Sequence, residues 1–438
     1  MKKIFFLLLL VSSVVANAQT DHKKMAAQLL DELAQKKYAL VYSRFDSAMK
    51  AGLDTVKLKK MWEGLLMQVG SLKKVTSVSI SSAGSSDIVD QLCTFDKTDL
   101  LFRLSIDKKD RVGGMFLLPP PPQEQYKEPV YAKTQEITER GITVKTGEYS
   151  LPGYLTLPKD GKKLPLVILI QGSGPNDMDE SIGPNKPFKD IALGLASNGI
   201  AVLRYNKRTH DYGAKMMDHM NELTVKEEII DDAMSALQLA KTFPEIDTGK
   251  IFFLGHSEGA MMMPRIADGR KDIAGIIMMA GNARPLEDLI LEQTTYLLGL
   301  DGFTSEDKSA LMTVKMQVME VKRPTLSDTV SASRLPLGCP AKYWMDLKNY
   351  HQVEVAEKLK LPMFILQGER DYQVTMEDYK LWQQRLERKK NVTLHSYPKL
   401  NHLFQEGDAP KSTPQEYDHQ VNVPEYVIKD IADFIKKH

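Results

Sequence analysis

Cysteine is scarce in this chain: 438 residues hold two, Cys93 and Cys339, far apart in sequence. That count excludes a disulfide-built scaffold, although the two thiols can still pair in an oxidising compartment. No Cys-x-x-Cys, His-x-x-x-His or clustered Cys/His pattern occurs, so the sequence supports no metal site. An excess of one charge is also lacking, with 58 Lys and Arg against 57 Asp and Glu and a formal net charge of +1. Near-neutrality without a basic stripe argues against nucleic acid and against an anionic membrane surface as partners. After the first residues no stretch is apolar for long enough to cross a bilayer.

The first residues, MKKIFFLLLLVSSVVANAQT, combine a basic start (Lys2, Lys3), an apolar stretch from Ile4 and the small-residue site Ala16-Asn17-Ala18. This is the pattern of a secretory signal peptide over residues 1–18, too short for a membrane span. No cysteine follows the apolar run, which argues against a lipid anchor. The expected mature protein is exported, periplasmic or secreted. It keeps about 420 residues, which suggests two domains.

Pro119-Pro120-Pro121-Pro122 and the polar QEQYKEP after it are the strongest break, read as a Pro-rich linker over 119–134. Before it, residues 22–65 read as helical, with Met25, Leu29, Leu30 and Leu33 on one face. VTSVSI (75–80), LLFRLSI (100–106) and VGGMFLL (112–118) read as strands. A small α+β domain over 19–118 is expected, and its His22 and Cys93 lack companions that would make a site. From 135 to 438, continuous apolar runs alternate with amphipathic helices. Strands are expected near 136–144, 149–157, 164–171, 200–206, 250–255, 273–281, 361–368 and 391–397. One helix begins at Thr224 with Glu227 three residues on, as in a capping box. The alternation predicts a mostly parallel, doubly wound sheet. Some eighty residues separate Gly281 from Leu361, so an inserted helical cap is expected over 282–358.

Within FFLGHSEGAMM (252–262), Ser257 stands between Gly255 and Gly259 where a strand gives way to a helix. A serine there sits at the C-terminal edge of a parallel sheet, on a turn so sharp that side chains two before and two after would collide. A hydroxyl becomes nucleophilic only when a base takes its proton and an acid orients that base. Asp371, in QGERDYQV just past an expected strand, is the candidate acid, with Glu369 as the alternative. For the base, His402 lies in a loop, YPKLNHLF, that can swing toward the serine. His395 lies inside an expected strand, His419 and His438 are farther off, and His256 reads as packing. Donors for a developing oxyanion are expected from the backbone N–H groups of Ser173, in QGSG after a strand, and of Glu258. The same glycine loop is no phosphate cradle, since it lacks the Walker lysine and a GxGxxG.

Residues from about 135 to 438 resemble the α/β-hydrolase superfamily. They are most similar to bacterial serine carboxylesterases near the dienelactone-hydrolase-like branch. The matching stretches are QGSGPNDMDE, NKPFKDIALGLASNGIAVLRYNKR, GHSEG, YWMDL, LQGERDYQV and the closing NHLF. The resemblance implies an α/β-hydrolase fold, here with an eight-stranded mostly parallel sheet and a helical cap, behind a small N-terminal α+β domain. It also implies Ser257 as nucleophile, Asp371 as acid and His402 as base, with no cofactor. Gln171 departs from the histidine common before the oxyanion glycine, and Met178 from a frequent arginine; neither removes a backbone donor. Residues 22–118 resemble, more weakly, a domain of unassigned function that precedes some bacterial hydrolases.

The expected activity is hydrolysis of short-chain or aromatic carboxylic esters through an acyl-enzyme, with a small-molecule ester as the partner. Tyr343 and Trp344, with Tyr350 nearby, are the candidate substrate-binding residues of the cap. A serine peptidase or a thioesterase of the same fold is the alternative. Peptidases of this kind usually carry a propeller, for which about a hundred residues are too few. Export separates the chain from cytoplasmic acyl-CoA. The oligomeric state is not legible.

Overall fold

A computed structural model describes residues 22–83, 86–120, 124–216, 221–300 and 302–438. The segment read as a signal peptide lies outside them. The described residues form two compact units that divide between Pro122 and Gln123.

In the first unit, helices over 22–34, Tyr38–Ser43, Ser47–Gly52 and Thr55–Val69 precede four strands: β1 (Leu72–Ala83), β2 (Ser86–Phe95), β3 (Asp99–Asp107) and β4 (Val112–Leu118). They pair as an antiparallel meander in sequence order. Asp46 and Asp54 cap the third and fourth helices through backbone N–H groups, which is why the region expected as one helical stretch is broken. β2 was not expected, because its inward face carries Gln91 beside Val89, Cys93 and Phe95, and acidic residues interrupt its alternation. Gln91 is accommodated by donating from Nε2 to Ala26 O at 3.1 Å. His22 does have companions: its Nδ1 is 2.9 Å from Asp87 Oδ2 and its Nε2 is 3.0 Å from Asp110 Oδ1. Both cysteines are free thiols, and burial pushes them up, Cys93 to about 11 and Cys339 to about 12.

The second unit is an eight-stranded sheet of β5 (Ile137–Thr146), β6 (Tyr149–Pro158), β7 (Leu164–Ile170), β8 (Ala201–Tyr205), β9 (Ile246–His256), β10 (Gly275–Met279), β11 (Met363–Gly368) and β12 (Val392–Tyr397). Their spatial order is β12-β11-β10-β9-β7-β8-β6-β5. The run from β12 to β8 is parallel, and β6 pairs antiparallel with β8 and β5. Helices Asp231–Ala240, Glu258–Ala267 and Met376–Leu386 cover one face, and Pro187–Ser197 and Glu425–Lys437 the other. Burial on both faces is the reason the central strands read as unbroken apolar runs. The order also leaves β7 and β9 adjacent at the centre, so the loops leaving their C-terminal ends meet. Among the described residues no helix is long and apolar enough to cross a membrane.

The later half of the expected linker is not a free connection. The Tyr126 hydroxyl donates to Asp190 Oδ1 at 2.8 Å and the Tyr131 hydroxyl to Val423 O at 2.6 Å. Each ring brings apolar area together with one donor, enough to fasten an otherwise polar stretch. Burial pushes the Asp190 carboxyl up to about 7, against the downward pull of its bonds from Val423, Tyr126 and Asn422. A carboxyl whose folded pKa exceeds its unfolded one, about 3.9, favours folding while it holds its proton. Its contribution is therefore complete below about pH 4 and fades as the pH rises through about 7. Asp190→Asn is expected to flatten that part of the stability curve. Thermal melting of both proteins at pH 4 and pH 8 checks this, and parallel curves would sink the assignment.

Candidate active site

β9 runs into a turn at Ser257, which has φ 54° and ψ −119°, and the helix Glu258–Ala267 begins at the next residue. A non-glycine residue at such angles is strained, and the surroundings hold it there. The Ser257 N–H donates to Met279 O at 2.9 Å, tying the turn to β10, and Met261 N–H donates to Ser257 O at 3.0 Å. Strand and helix cross so closely that a Cβ on Gly255 would lie 2.4 Å from the Gly259 carbonyl carbon. One on Gly259 would lie 2.3 Å from Ile170 O in β7. Only glycine fits at either position.

Asp371 follows β11 and His402 follows β12, both buried. His402 Nδ1 lies 2.6 Å from Asp371 Oδ2. The other oxygen, Oδ1, accepts from the N–H groups of Gln373 at 2.7 Å and Val374 at 3.0 Å, so backbone fixes the plane of the carboxylate. The competing residues are elsewhere. Glu369 Oε1 accepts from Ser396 Oγ at 2.8 Å, and His395 stacks on Tyr397 and faces Asp430. His419 pairs with Glu124, and His438 packs on Phe434.

The loop after β7 lies directly against the serine, since a Cβ on Gly172 would be 3.0 Å from Ser257 Cβ. Ser173 comes next in this loop. Glu258, the other expected donor, opens its helix, where backbone N–H groups have no partner within the helix. The loop is held by residues at the end of β8. Gln171 Nε2 donates to Tyr205 O, and Asn206 Oδ1 accepts from Met178 N–H at 2.9 Å. Buried Arg204 bonds Asp179 Oδ1 at 2.8 Å.

His256 does more than pack. Its Nε2 lies 2.8 Å from His402 O and its Nδ1 lies 3.0 Å from Glu180 Oε2, while its ring sits 4.6 Å from that of His402. Burial alone would push the His256 imidazolium down; the Glu180 carboxylate, the His402 carbonyl and Asp371 outweigh it and hold it above the ordinary histidine range. Glu180 Oε1 in turn accepts from Gly172 N–H at 2.7 Å. One buried Glu–His pair therefore connects the β7 loop, the serine turn and the His402 loop. In the sequence, Glu180 is one acid among several in NDMDES, and nothing local sets it apart.

The insertion between β10 and β11 is helical, over Leu286–Gly299, Ser305–Lys322, Ala341–Lys348 and Gln352–Lys358. Tyr343 and Trp344 do not line an opening for substrate. They are 3% and 0% exposed, set edge to face in the core of the sheet's helix layer. The Tyr343 hydroxyl donates to Glu258 Oε1, and the Tyr350 hydroxyl donates to Met261 O at 2.8 Å, so these rings fasten the insertion to the helix after Ser257. Burial and Glu258 raise the Tyr343 phenol well above its usual range. Another aromatic group gathers at the site's flank. Tyr296, from the first insertion helix, stacks on Tyr372 at 5.2 Å, and Tyr372 and Leu403, which follow Asp371 and His402, cluster with Tyr417 and Ile182. Spacing within the insertion could not separate Tyr296 from Tyr343, because which ring reaches the acid's loop depends on how the insertion helices fold back.

A family described as serine aminopeptidase, S33, matches residues 185–408, and one described as a protein of unknown function (DUF3887) matches residues 26–115. The chain is 34% identical over 408 residues to the esterase EstD of Thermotoga maritima, covering 93% of this chain and 94% of that protein. Among solved structures it is similar to Est1E from Butyrivibrio proteoclasticus, at 20% identity and a TM-score of 0.45, covering 68% of this chain and 98% of that one. It is similar also to an esterase of Pyrococcus furiosus, at 17% identity and a TM-score of 0.44, covering 73% of this chain and 96% of that one.

Proposed function

This chain belongs to the serine aminopeptidase S33 family of α/β-hydrolases, and from that membership we propose that it cleaves carboxylic esters through an acyl-enzyme on Ser257. His402 takes the Ser257 proton as the oxygen attacks the ester carbonyl, and passes it to the leaving alcohol when the tetrahedral intermediate collapses. Water then repeats the cycle, giving a proton to His402 as it attacks the acyl-enzyme, and the free acid leaves as Ser257 is reprotonated. Asp371 keeps the proton of His402 on Nδ1, so that Nε2 is the basic nitrogen. The N–H groups of Ser173 and Glu258 receive the developing oxyanion. The observation that carries this reading is the 2.6 Å Asp371–His402 contact at the same sheet edge as the strained Ser257 turn. A fluorophosphonate probe tests it: labelling at Ser257 is expected, and labelling only at another residue would overturn it.

The family description favours one other reading, an aminopeptidase. That activity needs an anionic group to receive a substrate ammonium. Glu180, Glu258 and Asp371 are all buried and already engaged, which favours esters. Paired aryl esters and aminoacyl arylamides decide between the two. The pattern of residues 1–18 supports export, and a mature chain beginning at Gln19 is the expected product.

Tyr296 and Tyr372 limit the acyl side in this proposal, giving preference for short or aromatic acyl groups. Tyr296→Ala is expected to raise the relative rate on longer acyl esters while changing the rate on an acetate ester by less than about threefold. Trp344→Ala, at a fully buried site, is expected instead to cost about 3–5 kcal/mol of stability and to leave the substrate ranking alone. A ranking moved by Trp344→Ala and not by Tyr296→Ala would reverse the assignment.

A further inference from the structure

We propose that Lys207 is a positioning residue of the oxyanion site, holding the Gly172–Ser173 peptide so that its N–H points at the reacting carbonyl. The proposal rests on the ester-hydrolase reading above. Lys207 is buried at the end of β8, and its Nζ donates to Gly172 O at 2.9 Å. In a trans peptide the C=O and the next residue's N–H point in opposite directions. Fixing the Gly172 carbonyl on Lys207 therefore aims the Ser173 N–H the other way. The contact between the position of a Gly172 Cβ and Ser257 Cβ sets this peptide beside the nucleophile. A cation on the carbonyl oxygen also polarises the amide and makes its N–H a stronger donor.

The same ammonium reaches the other half of the site. Nζ lies 3.4 Å from Glu258 Oε2, in the residue whose N–H is the second donor, and 2.7 Å from Glu228 Oε1. A turn of π-helix over Lys226–Ile230 carries the buried Glu228. Such turns are rare and concentrate at functional sites. Burial, and then the charge of Glu228, raise the Glu258 carboxyl, so Glu258 keeps its proton more readily than an exposed glutamate. The cluster sets one ammonium between two glutamate carboxyls. A buried ion pair is a poor source of stability, because desolvation offsets most of the attraction. Its value here lies in direction: one group fastens both donors. Asn176 supports the same carbonyl, donating from Nδ2 to Gly172 O at 3.1 Å.

The test compares Lys207→Gln, Lys207→Met and Asn176→Ala with the full-length enzyme, normalising kcat to the sites titrated by a fluorophosphonate. Lys207→Gln and Lys207→Met are expected to lower kcat by roughly 10- to 100-fold, less than loss of a whole donor. KM should stay within about threefold, and inhibition by an aryl trifluoromethyl ketone, which forms a hemiketal oxyanion on the serine, should weaken by the same factor as kcat/KM. Asn176→Ala should lose roughly threefold to tenfold in kcat. A lower melting temperature with unchanged kcat per titrated site, or ketone affinity unmoved, overturns the proposal. If the Lys207 variants do not fold, full kcat in Asn176→Ala overturns it. An active Ser257→Ala enzyme would instead remove the ester mechanism itself, so the two failures are distinguishable.

Discussion

Ser257→Ala is expected to lower kcat for ester hydrolysis by roughly three to six orders of magnitude with the fold retained. The loss is large because no covalent intermediate can form, and what remains comes from the oxyanion donors and binding alone. The fold survives because the bonds that hold this turn are backbone bonds, from Ser257 N–H to Met279 O and from Met261 N–H to Ser257 O. Alanine keeps both. Ser257→Gly should be equally inert yet more stable, since glycine adopts φ 54° without strain. Stopped-time hydrolysis of an aryl ester with thermal melting of each variant checks both halves. Near-normal turnover in Ser257→Ala would remove the mechanism.

His402→Ala should be nearly as damaging, and Asp371→Asn should cost about four orders of magnitude in kcat. The reason for the second lies in the carboxylate's fixed plane. Oδ1 is occupied by the N–H groups of Gln373 and Val374, so an asparagine there keeps its carbonyl toward them and turns its NH2 toward His402 Nδ1. Nδ1 must then accept, the ring proton moves to Nε2, and the nitrogen that should take the serine proton is blocked. His395→Ala should change kcat by less than about threefold, because that ring stacks on Tyr397 beyond the site. Because a neutral base is required, kcat/KM should also fall on acidification. Equal damage at His395 and His402, or an active Asp371→Asn enzyme, would contradict the assignment.

Much of this was legible in the chain before folding. LVILI, IFFL and MFILQG are apolar without alternation because both faces of the sheet are covered, and that property belongs to the strand itself. Gly255 and Gly259 were legible for a similar reason. A Cβ on Gly255 would meet Gly259 within the same turn, a local collision, whereas the atom that Gly259 itself meets, Ile170 O of β7, lies far along the chain. Asp371 and His402 could be named because each follows a strand whose direction the parallel pattern already implies.

Other features depended on which distant segments meet. Trp344 and Tyr296 are both aromatic residues on insertion helices; only the fold sends one into the core and stacks the other on Tyr372, beside the acid. Lys207, Glu228 and Glu258 come from three separate segments, and Glu180 and His256 from two. Nothing near Lys207, Glu228 or Glu180 in sequence distinguishes it from a solvated charge. β2 and the anchored stretch after the proline run escaped for the same reason, since Gln91 and Tyr126 are satisfied by partners far along the chain. The amino-acid sequence by itself determined the fold class, the strand-to-helix turn and the three side chains at the sheet edge, because hydrophobic period and backbone sterics act between near neighbours. Tertiary structure alone decided how the oxyanion loop is held and which aromatics flank the site, because buried charges and ring contacts find their partners only when remote segments pack together.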